Sequence, residues 1–261
     1  MAGVDGEAHR PAGEDRRYED RATAAGYAAD RPPVHRPIVA AALDLLGPPD
    51  RPRRLVVDLG CGAGASTAPL LALAPRVLAV DPAPAMVAAT RTHLPDALTA
   101  IAVAEALPLA DGIVDLIVAA GSLDHVDLGR FGPEAARALH AEGAVVAYDF
   151  ARGRHLAGGD RTDDPLDRWY GRYLERSGRP PRAGQLPDRL AAVPGLRLAT
   201  LERLIVPIAL PRHRYVAYVL TDAADPADPG LRNWCDRTLP ATVDDHAVIA
   251  FDAYVAILRP R

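Results

Sequence analysis

The chain has 261 residues, 49% hydrophobic and 25% charged, with a formal net charge of −4 and a pI near 6.1. That length and balance suit one folded α/β domain with an elaboration, while slight acidity and 5% aromatic content exclude the basic, aromatic-rich footprint of a nucleic-acid binder. No apolar run nears the ~20 residues that span a bilayer, no apolar leader opens the chain, and two cysteines build no disulfide framework, so a cytoplasmic protein away from membranes is expected. All 30 basic residues are arginine, which reads as coding bias rather than function.

In chain order, residues 1–14, rich in Gly, Ala and charge, read as a disordered tail, and residues 15–261 as one domain. An Ala-rich stretch over 15–29 carrying Tyr27 reads as helical and breaks at Arg31-Pro-Pro; Val34–Leu46 has helical periodicity and stops at Gly47-Pro-Pro. These two form an N-terminal element over 15–46. Strands and helices then alternate: strand 54–58, helix 64–73, strand 76–80, helix 82–93, strands 98–103 and 113–120, helix 131–140 and strand 143–149. Such alternation predicts a doubly wound, Rossmann-like α/β fold with helices on both faces of a parallel sheet. Residues 151–185, with eight arginines beside Trp169, Tyr170 and Tyr173, follow the fifth strand and so cap the carboxyl edge, where ligands bind in such folds. A second insertion, 211–240, lies between long apolar strands at 196–209 and 246–258.

The most informative stretch is Leu55-Val-Val-Asp-Leu-Gly-Cys-Gly-Ala-Gly64: an apolar strand, then Gly60, Gly62 and Gly64 at every second position. Residues without a Cβ let the backbone turn sharply and let a ligand lie against it, and strand, glycine turn and helix start form a nucleotide-type site. The dinucleotide fingerprint is also loosely met. Charge separates the two ligands. Asp58 stands just before the turn, and Asp81 and Glu105 where the next two strands end. Three carboxylates around one pocket suit S-adenosylmethionine (SAM), with its sulfonium and ammonium, and repel the pyrophosphate of NAD.

Five ordered motifs from about Tyr27 to Phe150 resemble the class I SAM-dependent methyltransferases, in particular the small-molecule branch with ubiquinone/menaquinone-type and trans-aconitate-type enzymes. They are Val56–Gly64, Leu78–Met86, Ala104–Pro108, Val114–Ala120, and Ala135 through Asp149. The resemblance implies a mostly parallel seven-stranded sheet with an antiparallel last strand, and transfer of a methyl group from SAM to O, N or C of a small molecule of bacterial specialised metabolism, leaving S-adenosylhomocysteine. Asp81 is expected on the ribose hydroxyls, with Pro82 beside it; Met86 on the adenine ring or in helix packing, or both; Glu105 and Ala106 at the adenine edge. Asp58 is expected to order the turn and to reach the methionine amino group through water; Gly60, Cys61, Gly62 and Gly64 bind the cofactor with Ala120, Gly121 and Ser122, the last two on the side of its methyl-donor end; and Tyr27 and Arg31 resemble an N-terminal lid over the cofactor. His125, after the fourth strand, is a candidate base or a residue that only shapes the pocket; Asp124 orients it or acts as base itself. Tyr148 and Asp149 border the acceptor, Tyr148 as a third catalytic candidate and Asp149 with Trp169 and Tyr170 on the substrate side. Asp124 and Asp127 raise a divalent-metal reading, but its other ligands are not visible, and no metal is expected. The arginines of 152–182 either bind an acidic acceptor or pair with the interleaved acids of a solvated helix. A monomer or homodimer is expected, and the alternative is a SAM-binding enzyme of this fold that cyclises, rearranges or decarboxylates its substrate.

Overall fold

A computed structural model describes residues 31–178, 186–221 and 223–261; the tail, Tyr27 and the helix read over 15–29 lie outside them. The strands are β1 (Val56–Leu59), β2 (Val77–Asp81), β3 (Leu98–Ile101), β4 (Val114–Ala120), β5 (Leu139–Phe150), β6 (His155–Leu156), β7 (Leu196–Ala209) and β8 (Val248–Pro260). The helices are α1 (His35–Leu46), α2 (Pro84–His93), α3 (Leu128–Ala138), α4 (Pro165–Ser177), α5 (Leu186–Leu190), α6 (Arg212–Leu220) and α7 (Pro229–Thr238).

The sheet runs β3-β2-β1-β4-β5-β8, with β7 on the far side of β8. β1 to β5 are parallel, and β8 is antiparallel to both β5 and β7. Seven long strands match the expected doubly wound sheet with its antiparallel last strand. The eighth, β6, holds two residues and carries the line of β5 onward along β8 at Ala250 and Ile249. Successive side chains point to opposite faces, so β1 feeds two cores. Val56 joins Val118, Val146 and Val255 under α1, α4, α6 and α7, while Val57 joins Ile117, Val145 and Ala256 under α3 and α5.

One predicted element is replaced. Residues 62–67 are turns and Ala68–Ala72 is a 3₁₀ helix, where an α-helix over 64–73 was expected. Pro69 is the physical reason: it lacks the N–H an α-helix needs there and disfavours helical backbone at Ala68. Helix α3 begins three residues before the predicted start because the Asp127 carboxylate accepts from Gly129 N (2.9 Å) and Arg130 N (3.4 Å), an N-cap.

The insertions form a helical cap on the first face. Helix α4 starts at Asp164-Pro165, whose carboxylate caps Leu166 N, and stops at Gly178 in the left-handed region. Its apolar side carries Trp169, fully buried, stacked on Tyr173 and Trp234 with ring centroids 5.6 Å apart in both pairs. The Trp169 indole N–H donates to Thr238 Oγ1 at 2.9 Å, tying α4 to α7. Trp169→Ala is therefore expected to lower stability by about 3–5 kcal/mol, read as an earlier urea-unfolding midpoint at unchanged slope. A loss below ~1 kcal/mol would mean the cap does not depend on this ring.

Candidate active site

Past Leu59 the backbone reverses through Gly60, Gly62 and Gly64, all with positive φ (68°, 53° and 94°). At Gly60 the requirement is steric as well, since a Cβ would stand 2.4 Å from that of Ser122; at Gly62 it would meet open space. The turn is clasped from β2. Gly60 N and Cys61 N both donate to the Val80 carbonyl (2.8 and 3.0 Å). The Asp81 carboxylate accepts from Gly62 N and from Ala83 N, each at 2.9 Å. Thr90 Oγ1 of α2 closes the clasp by donating to the Gly62 carbonyl at 2.8 Å. Asp81 therefore both ends β2 and holds the turn in shape.

Asp58 sits one strand residue before the turn and is wholly buried. Its Oδ2 accepts from Ser66 Oγ (2.8 Å) and Thr67 Oγ1 (2.6 Å), whereas its Oδ1 is buried and accepts no hydrogen bond. Burial pushes its pKa up to about 6, further raised by the Asp81 charge and opposed by the two hydroxyls. A carboxylate satisfied on one side only is costly to ionise, and a ligand cation at Oδ1 removes that cost.

The remaining predicted residues fall into three groups. Ala120 ends β4 and Gly121 (φ 64°) follows it, and a Cβ on Gly121 would lie 2.9 Å from Asp149 Oδ1, so the Asp149 carboxylate stands directly over this glycine. Asp124 and His125 are exposed on the short 3₁₀ turn after β4, and no hydrogen bond joins them. Glu105 accepts from Asp127 N at 2.9 Å, linking the loop after β3 to the start of α3. Pro82 and Ala106 are exposed beside these loops. Arg31 is half-buried with its guanidinium over the Tyr218 ring at 5.9 Å.

Several expected ligand contacts are instead structural ties. Met86 is buried against Ala63, Ala83 and Ala89 beneath the turn, the helix-packing alternative. The Cys61 thiol lies 3.7 Å from Thr90 Oγ1 and 3.5 Å from the Gly62 carbonyl, and burial pushes its pKa far up. Ser122 Oγ donates to the Leu59 carbonyl at 2.6 Å. Trp169 and Tyr170 belong to the buried cap, because the apolar side of α4 faces inward. Asp127 caps α3, and the described residues hold no group of three His, Cys, Asp or Glu able to bind a metal. Two arginines of the insertion pair with its acids, Arg168 with Asp163 and Arg154 with Asp167 at 3.3 Å, while Arg161 reaches Asp252 of β8 at 2.8 Å.

Two residues at this edge escaped the sequence reading. His35 opens α1, and its Nδ1 lies 2.9 Å from the Tyr148 hydroxyl; burial and Arg31 push its pKa down to about 4, so the pair is neutral. Tyr148 is 1% exposed, so its hydroxyl faces His35 rather than an open pocket. Tyr254, on β8, sits opposite Asp149 in the sheet. The alternation of Asp252 and Tyr254 with Phe251, Ala253 and Val255 was a readable sign that these two share the other face.

With this geometry in place, the comparisons with known proteins are specific. Residues 57–147 match the family model described as a methyltransferase domain. Over this segment the chain is similar to methyltransferase domains. An uncharacterised methyltransferase of Mycobacterium tuberculosis is 39% identical over 92 residues, covering 35% of this chain and 38% of the relative. A ubiquinone biosynthesis O-methyltransferase of Methylobacterium is 32% identical over 114 residues, covering 42% and 46%. The alignments thus span less than half the length of these relatives. Among solved structures, a proposed type II methyltransferase from Anaeromyxobacter dehalogenans superposes with a TM-score of 0.64 at 22% identity, over 88% of this chain and 97% of that one. That likeness is one of fold.

The residues of the domain fit SAM on their own chemistry. Open space lies over Gly62, the buried Oδ1 of Asp58 accepts no hydrogen bond, and the clasped Asp81 carboxylate ends the neighbouring strand. The half-satisfied Asp58 also has a consequence for stability. Its pKa is near 3.8 unfolded and about 6 folded, so ionisation penalises the folded state as pH rises through that window, by on the order of 3 kcal/mol. Asp58→Asn, neutral throughout and able to accept both hydroxyls on its amide oxygen, is expected to gain stability over wild type between pH ~4 and ~7. Urea unfolding at both values checks this, and a difference independent of pH would contradict it.

Proposed function

We propose that the whole chain is a SAM-dependent methyltransferase acting on a small molecule, placed in bacterial specialised metabolism as the small-molecule branch implies. The observation that carries the reading is the glycine turn clasped by Asp81 beside the half-satisfied Asp58. Gly60, Gly62 and Gly64 give backbone room for the nucleoside and methionine chain, a carboxylate at Asp81 has lone pairs for ribose hydroxyls besides those it uses on the turn, and the half-satisfied Asp58 carboxylate beside the turn suits the positive end. Bound there, SAM supplies an electrophilic methyl group, which is the reactivity itself. The protein's share is orientation and exclusion of water; alignment of nucleophile and electrophile lowers barriers by ~7–11 kcal/mol in favourable model reactions. The exposed Asp124 and His125 lie on the turn after β4, and their part in this reading is to shape the acceptor's side of the pocket.

Incubation with SAM and a small-molecule extract is expected to yield S-adenosylhomocysteine in step with a methylated product. S-adenosylhomocysteine without a methylated product would overturn methyl transfer to a small molecule. Asp81→Asn and Asp81→Ala are both expected to weaken SAM binding, the alanine variant by ~10- to 150-fold, which corresponds to charge-assisted bonds of ~1.5–3 kcal/mol. Circular dichroism shows whether the turn's loss has unfolded the domain; unchanged affinity in a folded variant would remove Asp81 from the site.

A further inference from the structure

One row of side chains crosses the sheet at its carboxyl edge. Direct cross-strand pairs share a face, and the pairs Arg203–Tyr254 and Tyr254–Asp149 set those three residues side by side on β7, β8 and β5. Asp149 in turn overhangs Gly121, the residue after β4. The Tyr254 hydroxyl is buried and bonds to nothing. A buried hydroxyl without a partner costs ~1–3 kcal/mol, and native structures leave few of them. Burial, and the charges of Asp149 and Asp124, push its pKa far above the usual phenol range, so Tyr254 keeps its proton and is a donor. Asp149 Oδ1 accepts from Phe150 N at 2.8 Å, and a carboxylate has lone pairs for several partners at once. Arg203 is exposed at the outer end, about 10 Å from Asp149 by two strand spacings, where solvent screens it.

Resting on the methyltransferase reading above, we propose that Tyr254 and Asp149 hold the acceptor and that the group they hold is a hydroxyl, making the reaction an O-methylation. The chemistry selects oxygen. A hydroxyl has one proton to give to Asp149 and two lone pairs, one to accept from Tyr254 and one to attack carbon. A neutral amine has a single lone pair, which cannot both accept from Tyr254 and attack; a carboxylate or phosphate meets repulsion from Asp149 and Asp124. In the step itself the acceptor oxygen bonds to the methyl carbon, the carbon–sulfur bond breaks with its electron pair to sulfur, and the acceptor proton passes to Asp149.

The test uses protein saturated with S-adenosylhomocysteine and three probes sharing one ring: p-cresol, p-toluidine and p-toluate, with binding followed by ligand-observed NMR. We expect p-cresol to bind, Tyr254→Phe to weaken it at least ~10-fold, p-toluidine, the poorer acceptor of the two, to bind more weakly, and p-toluate not to bind. Asp149→Asn, which keeps shape and loses charge, is expected to weaken p-cresol as well. Equal binding of p-cresol to wild type and Tyr254→Phe, binding of p-toluate as tight as that of p-cresol, or no binding of any probe overturns the proposal. Calorimetry of SAM with the same preparations separates the two readings: wild type and Tyr254→Phe should bind it equally, and failure of wild type to bind SAM would overturn the methyltransferase reading instead.

Discussion

The buried carboxylate of Asp58 is the constraint around which the carboxyl edge is arranged. Two hydroxyls from the turn immediately following, Ser66 and Thr67, converge on one of its oxygens and leave the other bare. That convergence fixes residues 62–67 as turns rather than the first coil of a helix, with Pro69 completing the break. A charge taken out of water and only half compensated is stable company for a cation and poor company for a pyrophosphate. The same edge carries Asp81, Glu105, Asp124 and Asp149, so its field favours a positively charged ligand throughout.

The two faces of the sheet then divide the labour. On the face of α1, α4, α6 and α7, aromatic rings and the neutral His35–Tyr148 pair make a dry support under β5. On the face of α3 and α5, the strands end in polar groups: Asp149 and Tyr254 side by side, with Asp124 near them. Because β8 lies between β5 and β7, a residue near the end of the chain stands beside the fifth strand's last acid. The antiparallel last strand therefore contributes side chains to the edge where β1 and β2 build the turn.

The parallel sheet, its helix alternation and the glycine turn were legible because they are written in local pattern: period-2 apolar runs, alternating glycines and acids at strand ends. What was not legible depends on distance along the chain or on one local breaker. Pro69 sat inside an apolar stretch that otherwise has helical character, and periodicity outweighed it. His35 meets Tyr148 across 113 residues, a pairing that no local pattern signals. Trp169 and Tyr170 looked like ligand-binding aromatics in an arginine-rich insertion, yet the helix they lie on turns them inward into the cap. The side chains of Met86, Cys61 and Ser122 lie at the right positions and serve the turn's own packing, which spacing alone does not distinguish from ligand contact.

The claim that Asp58 is completed by a cation is tested most directly by calorimetric titration of SAM between pH ~5 and ~8, in buffers of different protonation enthalpy. The account predicts affinity that rises through pH about 6, with proton release on binding below that value, because the ligand ionises a carboxyl that is neutral in the free protein. Affinity and heat that do not change with pH or buffer would show that Asp58 meets no positive charge when SAM binds.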